Sequence, residues 1–211
     1  MEKVRKGKGL TDEDIVDMKA ANVPDWYIES CQKIKYMFPK AHAAAYVMMA
    51  FRIAYFKINY PEAYYAAYFT VRACDDFDYA CMCKGIDVAR EAIKEIHAKG
   101  QEATAKDKSK QTVLEIIVEF YARGFKFVPI DLYKSDAKNF QITEDGLLPP
   151  FSSLQGLGVN AAQSIVEGRK DGEFKTLEEL KERTSLGRSL IDMLKENDVL
   201  DGIPETDQLT L

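Results

Sequence analysis

From residue 41 to residue 60 the chain carries Ala, Met, Tyr, Phe and Ile on every side of a helical wheel, with only His42, Arg52 and Lys57 as possible charges. Nothing in this run breaks a helix. Pro61 forbids its continuation, and Pro39 suits its opening turn, where a missing N–H is not needed. A helix that is apolar all round belongs inside something larger than itself. Lys33, Lys35 and Lys40 crowd its entrance, so a buried rod with cations at one end can hold a polyanion at that end.

The flanking pattern is helical too. Thr11 predicts an N-cap, Asp14 completes a box-like spacing, and the helix runs to about Ala21 before Asn22 and Pro24 force a turn. A helix over 25–37 comes next, with Trp26, the one tryptophan, expected to plug the junction. Residues 62–71 form a Tyr/Ala-rich helix whose stripe of Tyr64, Tyr65, Tyr68 and Phe69 is expected in a core. Asp75, Asp76 and Asp78 read as caps of the next helix. Amphipathic helices are predicted over 78–99 and 108–124, joined by a polar linker. The second presents Val113, Ile116, Ile117, Phe120 and Tyr121 on one face and ends at Gly124 in a left-handed cap. Alternation over 125–132 and 139–143, with Leu147-Leu148, predicts short strands around a Glu144-Asp145-Gly146 turn. Pro149-Pro150 reads as a hinge. The fold class is therefore mainly α with a small β element, in segments 1–72, 73–148, 149–203 and a tail, 204–211.

Two stretches carry candidate chemistry. Arg5-Lys6-Gly7-Lys8-Gly9 sets three cations among glycines that let backbone approach phosphate oxygens, without Walker spacing. Leu154-Gln155-Gly156-Leu157-Gly158-Val159-Asn160-Ala161-Ala162, continuing to Arg169, resembles a helix–hairpin–helix motif. Gly156 and Gly158 permit a tight hairpin, and the helix starting near Asn160 aims its positive end outward, so backbone N–H groups can hold a duplex phosphate without reading bases. Ala161 and Ala162 allow close helix packing, and Arg169 adds a cation downstream. A degenerate second copy lies beyond it. Thr176 caps a helix with Glu179 completing the box, and Ser185-Leu186-Gly187-Arg188 turns into a last helix with one glycine. It is expected to scaffold the first.

Composition narrows the partners. The chain has 211 residues, 46% hydrophobic and 30% charged, which fits a soluble globular class. Its net charge is −5, but residues 1–72 hold 11 Lys+Arg against 8 Asp+Glu. Contact with nucleic acid therefore depends on local clusters and backbone donors, not on a global basic field. Cys31, Cys74, Cys81 and Cys83 lack zinc-site spacing, so free thiols and no structural metal are expected. No spanning apolar segment and no secretion segment at Met1-Glu2-Lys3-Val4-Arg5 make a cytoplasmic protein without membrane partners the expectation.

The string Lys33-Ile34-Lys35-Tyr36-Met37-Phe38-Pro39-Lys40-Ala41-His42-Ala43-Ala44-Ala45-Tyr46, followed by Arg52-Ile53-Ala54-Tyr55-Phe56-Lys57 and Tyr64-Tyr65-Ala66-Ala67-Tyr68-Phe69, resembles the fingers of PolC-type bacterial DNA polymerase III alpha subunits. The resemblance runs from Arg5 to Leu211. It implies the C-terminal part of a replicative polymerase. Residues 1–72 would be the last fingers segment, with Arg5, Lys6, Lys8, Lys40 and His42 near nucleotide or template phosphates. Gly156, Gly158, Asn160, Ala161 and Arg169 would grip product duplex. Gln208, Leu209 and Leu211 look like the family's sliding-clamp peptide, here without its usual final phenylalanine. The resemblance further implies primer-template DNA, deoxynucleoside triphosphates, a clamp and the remainder of the polymerase as partners. Magnesium would be held by palm aspartates upstream of this stretch, which would carry no catalytic residue and be inactive alone. The rival reading is a stand-alone, non-catalytic DNA-binding adaptor; a purely structural helical domain is a third.

Overall fold

The computed structural model describes residues 2–34, 40–72 and 75–206. The chain divides into two compact units, Met1–Tyr55 and Phe56–Leu211.

The first unit holds α1 (Glu2–Arg5), α2 (Asp12–Ala20), α3 (Asp25–Lys33) and most of α4 (Lys40–Asn59). Thr11 caps α2 as expected: its hydroxyl accepts from the Asp14 N–H, and the Asp14 carboxylate accepts from the Thr11 N–H at 2.9 Å. Among the described residues of this unit only Val4, Ile28 and Cys31 are buried. Trp26 does not plug a junction; it is 69% exposed and meets Tyr27 edge-on. Its ring stands apart from the three buried side chains described in this unit. The expectation that α4 is buried is also corrected for this chain. Tyr46, Met48, Met49, Phe51, Ile53 and Tyr55 are all at least half exposed among the described residues.

In the second unit α5 (Pro61–Val71) drives Tyr65 and Phe69 into a core with α7 (Ile86–Ala98) and α8 (Ala105–Ala122). The rings of Tyr65, Phe69, Phe77, Phe120, Phe127 and Phe140 interlock there, Phe69 to Phe120 at 5.8 Å and Phe77 to Phe140 at 4.8 Å. The aromatic stripe is thus core. Helix α5 shares this one core with α7 and α8, across the boundary expected at residue 72. The single helix expected over 78–99 is split into α6 (Tyr79–Met82) and α7 by Gly85, whose φ of +110° no helix accommodates. The aspartates do not cap α6: Asp78 instead pairs with Lys110 at 2.7 Å, and Asp76 accepts from Ser109. Helix α8 starts earlier than expected because Thr104 and Asp107 form a full capping box. Gly124, at φ +87°, ends it in the left-handed conformation.

Strands β1 (Gln141–Thr143) and β2 (Gly146–Leu148) pair antiparallel around the expected turn. The strand expected over 125–132 reduces to one parallel bridge, Phe127 to Leu147. Pro129 has no N–H to extend it, and Asp131 folds the chain away by accepting from the Tyr133 and Lys134 amides. Pro149 and Pro150, read as a hinge, are buried, and the chain just beyond them is pinned by Phe151 and Ser152 amides donating to Asp136 and Ala137 carbonyls.

A second core lies under α9 (Val159–Gly168), α10 (Leu177–Arg183) and α11 (Arg188–Glu196), centred on Phe151, Ile165, Leu180 and Leu194. Short α6 stitches it to the first core, with Tyr79 in one and Met82 in the other, while Cys83 packs against both. Burial pushes the Cys83 thiol well up, so it acts as a packing group. Cys74 lies outside the described residues.

Candidate nucleic-acid interface

The sequence ahead of α9 makes a hairpin whose shape is set by three positions. Gly156 sits at φ +94°, where a side chain is strained, and a Cβ there would press on the Met193 methyl at 3.1 Å. Leu157 is buried and anchors the turn, its N–H donating to the Leu154 carbonyl at 3.1 Å. Gly158 is exposed, extended, and faces open space where a Cβ would stand. It is the N-cap of α9, and its carbonyl accepts the Ala162 N–H. No side chain caps this helix end. The first N–H groups of a helix have no partner within it, so here they are turned to solvent past a residue with no bulk. Asn160 is exposed beside them. Ala161 is half buried, and Ala162 is fully buried in the second core.

The downstream copy repeats this geometry more closely than its sequence suggests. Leu186 is buried, and Gly187 is an exposed, extended N-cap with open space at its Cβ and no side-chain cap over α11. The backbone angles of the two caps are nearly equal, φ −65° and ψ 156° at Gly158 against φ −74° and ψ 166° at Gly187. The shared dipeptide Leu-Gly ahead of each helix was the available signal, masked by the single glycine of the second copy.

Two devices hold the hairpins in register. The Ser164 hydroxyl donates to the Ala161 carbonyl and accepts from both the N–H and the hydroxyl of Ser185, at 3.0 and 2.9 Å. Arg183 donates to the carbonyls of Gly168 and Gly172 and to Glu179 at 2.7 Å, with its guanidinium 4.5 Å over the Phe174 ring. Gly168 lets α9 end against this strut: a Cβ there would approach the Arg183 carbonyl to 2.9 Å and the Thr184 methyl to 3.0 Å. Neither Gly168 nor Arg183 announces itself by spacing, because each acts on a partner from the other copy.

Arg169, expected as a phosphate contact, turns inward, its guanidinium donating to the Leu132 and Ser135 carbonyls at 2.9 and 2.7 Å, and burial lowers its basicity. In this structure it braces the loop after residue 130. Arg5 and Lys6 share the Glu2 carboxylate, at 2.7 and 3.0 Å, which holds Glu2 down at about 2. Lys8 is exposed between Gly7 and Gly9, both at positive φ. His42 is exposed, its ring 4.3 Å from that of Tyr46. Lys40 opens α4, and its side chain lies outside the described residues, as do Lys35, Gln208, Leu209 and Leu211. Among the described residues no three His, Cys, Asp or Glu side chains converge to hold a metal ion, and no helix is long and apolar enough to cross a membrane.

The hairpin unit is not basic: residues 149–203 hold 7 Lys+Arg against 10 Asp+Glu. An anion held here is held by backbone dipoles and short-range donors.

Comparison with known proteins agrees with this geometry. The family model described as a helix-hairpin-helix motif matches residues 124–209. Over all 211 residues the chain is 56% identical to the DNA polymerase III PolC-type of Caldanaerobacter subterraneus subsp. tengcongensis, covering 15% of that protein. It is 54% identical to the protein of the same name from Clostridium perfringens and 53% identical to that from Bacillus subtilis, covering 14% and 15% of them. The chain thus spans about one-seventh of the length of these curated relatives.

Proposed function

With kinship to PolC-type DNA polymerase III running through every part of the chain, we propose that it is the C-terminal portion of a replicative DNA-directed DNA polymerase. Its part is to grip product duplex. The observation that carries this reading is the pair of exposed, glycine-capped helix starts at Gly158 and Gly187, each with its first N–H groups uncapped. Each such helix start can take one backbone phosphate without base recognition. Gly156 shapes the first hairpin, Gly158 clears the approach, and Asn160 and the Ala161 amide stand at its mouth. Arg169 serves by holding the neighbouring loop.

Residues 1–72 are proposed as the end of the fingers, with Arg5, Lys6, Lys8, Lys40 and His42 toward nucleotide or template phosphates. The exposed apolar length of α4 supports this. Soluble chains rarely leave so continuous an apolar surface uncovered, and relatives seven times longer have the chain to cover it. That surface also disfavours the stand-alone adaptor, which would have to leave it wet. Magnesium chemistry and deoxynucleotide transfer belong to the remainder of the polymerase, in the cytoplasm, and the segment ending in Gln208, Leu209 and Leu211 is the proposed clamp tether.

The test is binding of the 211-residue chain to a fluorescent primed duplex by anisotropy across a salt series, beside a primer-extension assay. The expected results are binding that weakens linearly in log affinity against log salt, with a slope of about −2 or steeper, the two hairpin phosphates setting the minimum, and no extension. Binding indifferent to salt, or extension of the primer by this chain alone, would overturn the reading.

A further inference from the structure

Beyond the hairpin loops, α10 and α11 enclose a groove of about 210 Å³ whose walls include Lys181, Arg188 and Lys195. Arg188 directly follows Gly187, and Lys195 lies two turns along α11, so the cations run from the second hairpin down one side of the helix. The acids of the same groove are Glu178, Asp192 and Glu205. Glu205 differs from the other two because it comes from the segment after the last helix. That segment is laid on the groove by the Leu177 N–H donating to the Pro204 carbonyl at 3.0 Å and by Lys195 Nζ on Glu205 Oε1 at 2.9 Å. Lys195 first, and then Lys181 and Arg188, hold the Glu205 carboxyl below the usual range, so it feels all three cations. Without Glu205 the groove carries one net positive charge; with it, none.

We propose that this groove is a phosphate site of the duplex interface, and that Glu205 is its built-in occupant, a carboxylate that DNA displaces. The proposal rests on the duplex-grip reading and extends it to a site that hairpin geometry alone does not assign. The strap lies at the root of the tail, so whatever pulls the tail away also uncovers the cations. An exposed ion pair of this kind is weak, which suits a contact that must yield to a phosphate. Removing the carboxylate therefore tightens duplex binding modestly, by about threefold at low salt, and the gain fades as salt screens it.

The experiment measures duplex affinity of the full 211-residue chain by anisotropy at several salt concentrations, for wild type, Glu205→Gln, Lys181→Gln/Lys195→Gln, and the three together. Asp145→Asn, away from the groove, controls for net charge. The expected results are tighter binding for Glu205→Gln, no change for Asp145→Asn, and a shallower salt slope for the lysine variant. In the lysine background the Glu205→Gln gain disappears. If Glu205→Gln matches wild type, or if its gain survives loss of both lysines, the latch is wrong while duplex grip stands. If wild type itself fails to bind duplex at low salt, both fall together.

Discussion

Glycine does three different jobs in the second unit, and the structure separates them. At Gly156 and Gly146 the backbone itself requires it, with φ at +94° and +144°. At Gly168 the backbone is ordinary but the space is taken, by the Arg183 carbonyl and the Thr184 methyl. At Gly158 both backbone and space are permissive: nothing within the protein requires a glycine there. Gly168→Ala should therefore destabilise the chain by about 1–3 kcal/mol through overpacking, read as a lower denaturant midpoint, and a midpoint within error of wild type would contradict this. The Gly156 and Gly158 pair was legible from sequence because hairpin chemistry is local. Gly168 was not: its neighbours lie fifteen residues downstream, on an element whose placement depends on the fold.

The elements were legible where their signals are local and misjudged where tertiary contacts decide. Thr11 capped α2 as its spacing implied. Thr176 likewise accepts from the Glu179 N–H, although Glu179 reaches back to the Lys175 amide and so leaves the box unreciprocated. The helix over 78–99 broke at a glycine that periodicity passed over, and the strand over 125–132 shrank because Pro129 and Asp131 divert it. Arg169 shows the same limit, since a cation at the end of a hairpin helix reads as a phosphate contact until the Leu132 and Ser135 carbonyls are seen around it. Arg169→Gln should loosen the loop it braces. Hydrogen exchange should speed at the amides of residues 131–135, while the salt slope of duplex binding stays unchanged. A slope shallower by about one, with the loop's protection intact, would instead make Arg169 a direct phosphate contact.

At the scale of the molecule, the apolar surface of α4 and the acid response of the second unit are the accessible properties. Phe51 is 72% exposed, so Phe51→Ser should leave the stability of this chain within about 0.5 kcal/mol. The same substitution should lower primer extension by the full-length polymerase if α4 is covered there, and undiminished extension would argue that it is not. Stability should fall in acid. Burial raises the Glu119 carboxyl, but the stronger combined effect of Lys57 at 2.6 Å and the Tyr65 hydroxyl at 2.8 Å holds it below its usual range. A group lowered on folding contributes stability above its unfolded value and loses it as pH falls through the folded one. Thermal unfolding should thus drop below about pH 4.5, and Glu119→Gln should flatten part of that drop; an unaltered profile in the variant would mean that Glu119 contributes none of it.

If backbone donors beyond a bare glycine hold the duplex, the most direct test is Gly158→Val, which adds bulk where nothing in the protein stands. Anisotropy on a primed duplex at low salt should show affinity reduced about tenfold, the loss of one charge-assisted phosphate contact, with hydrogen exchange in the second core unchanged. Equal affinity for wild type and Gly158→Val, both folded, would mean that the duplex does not approach this hairpin.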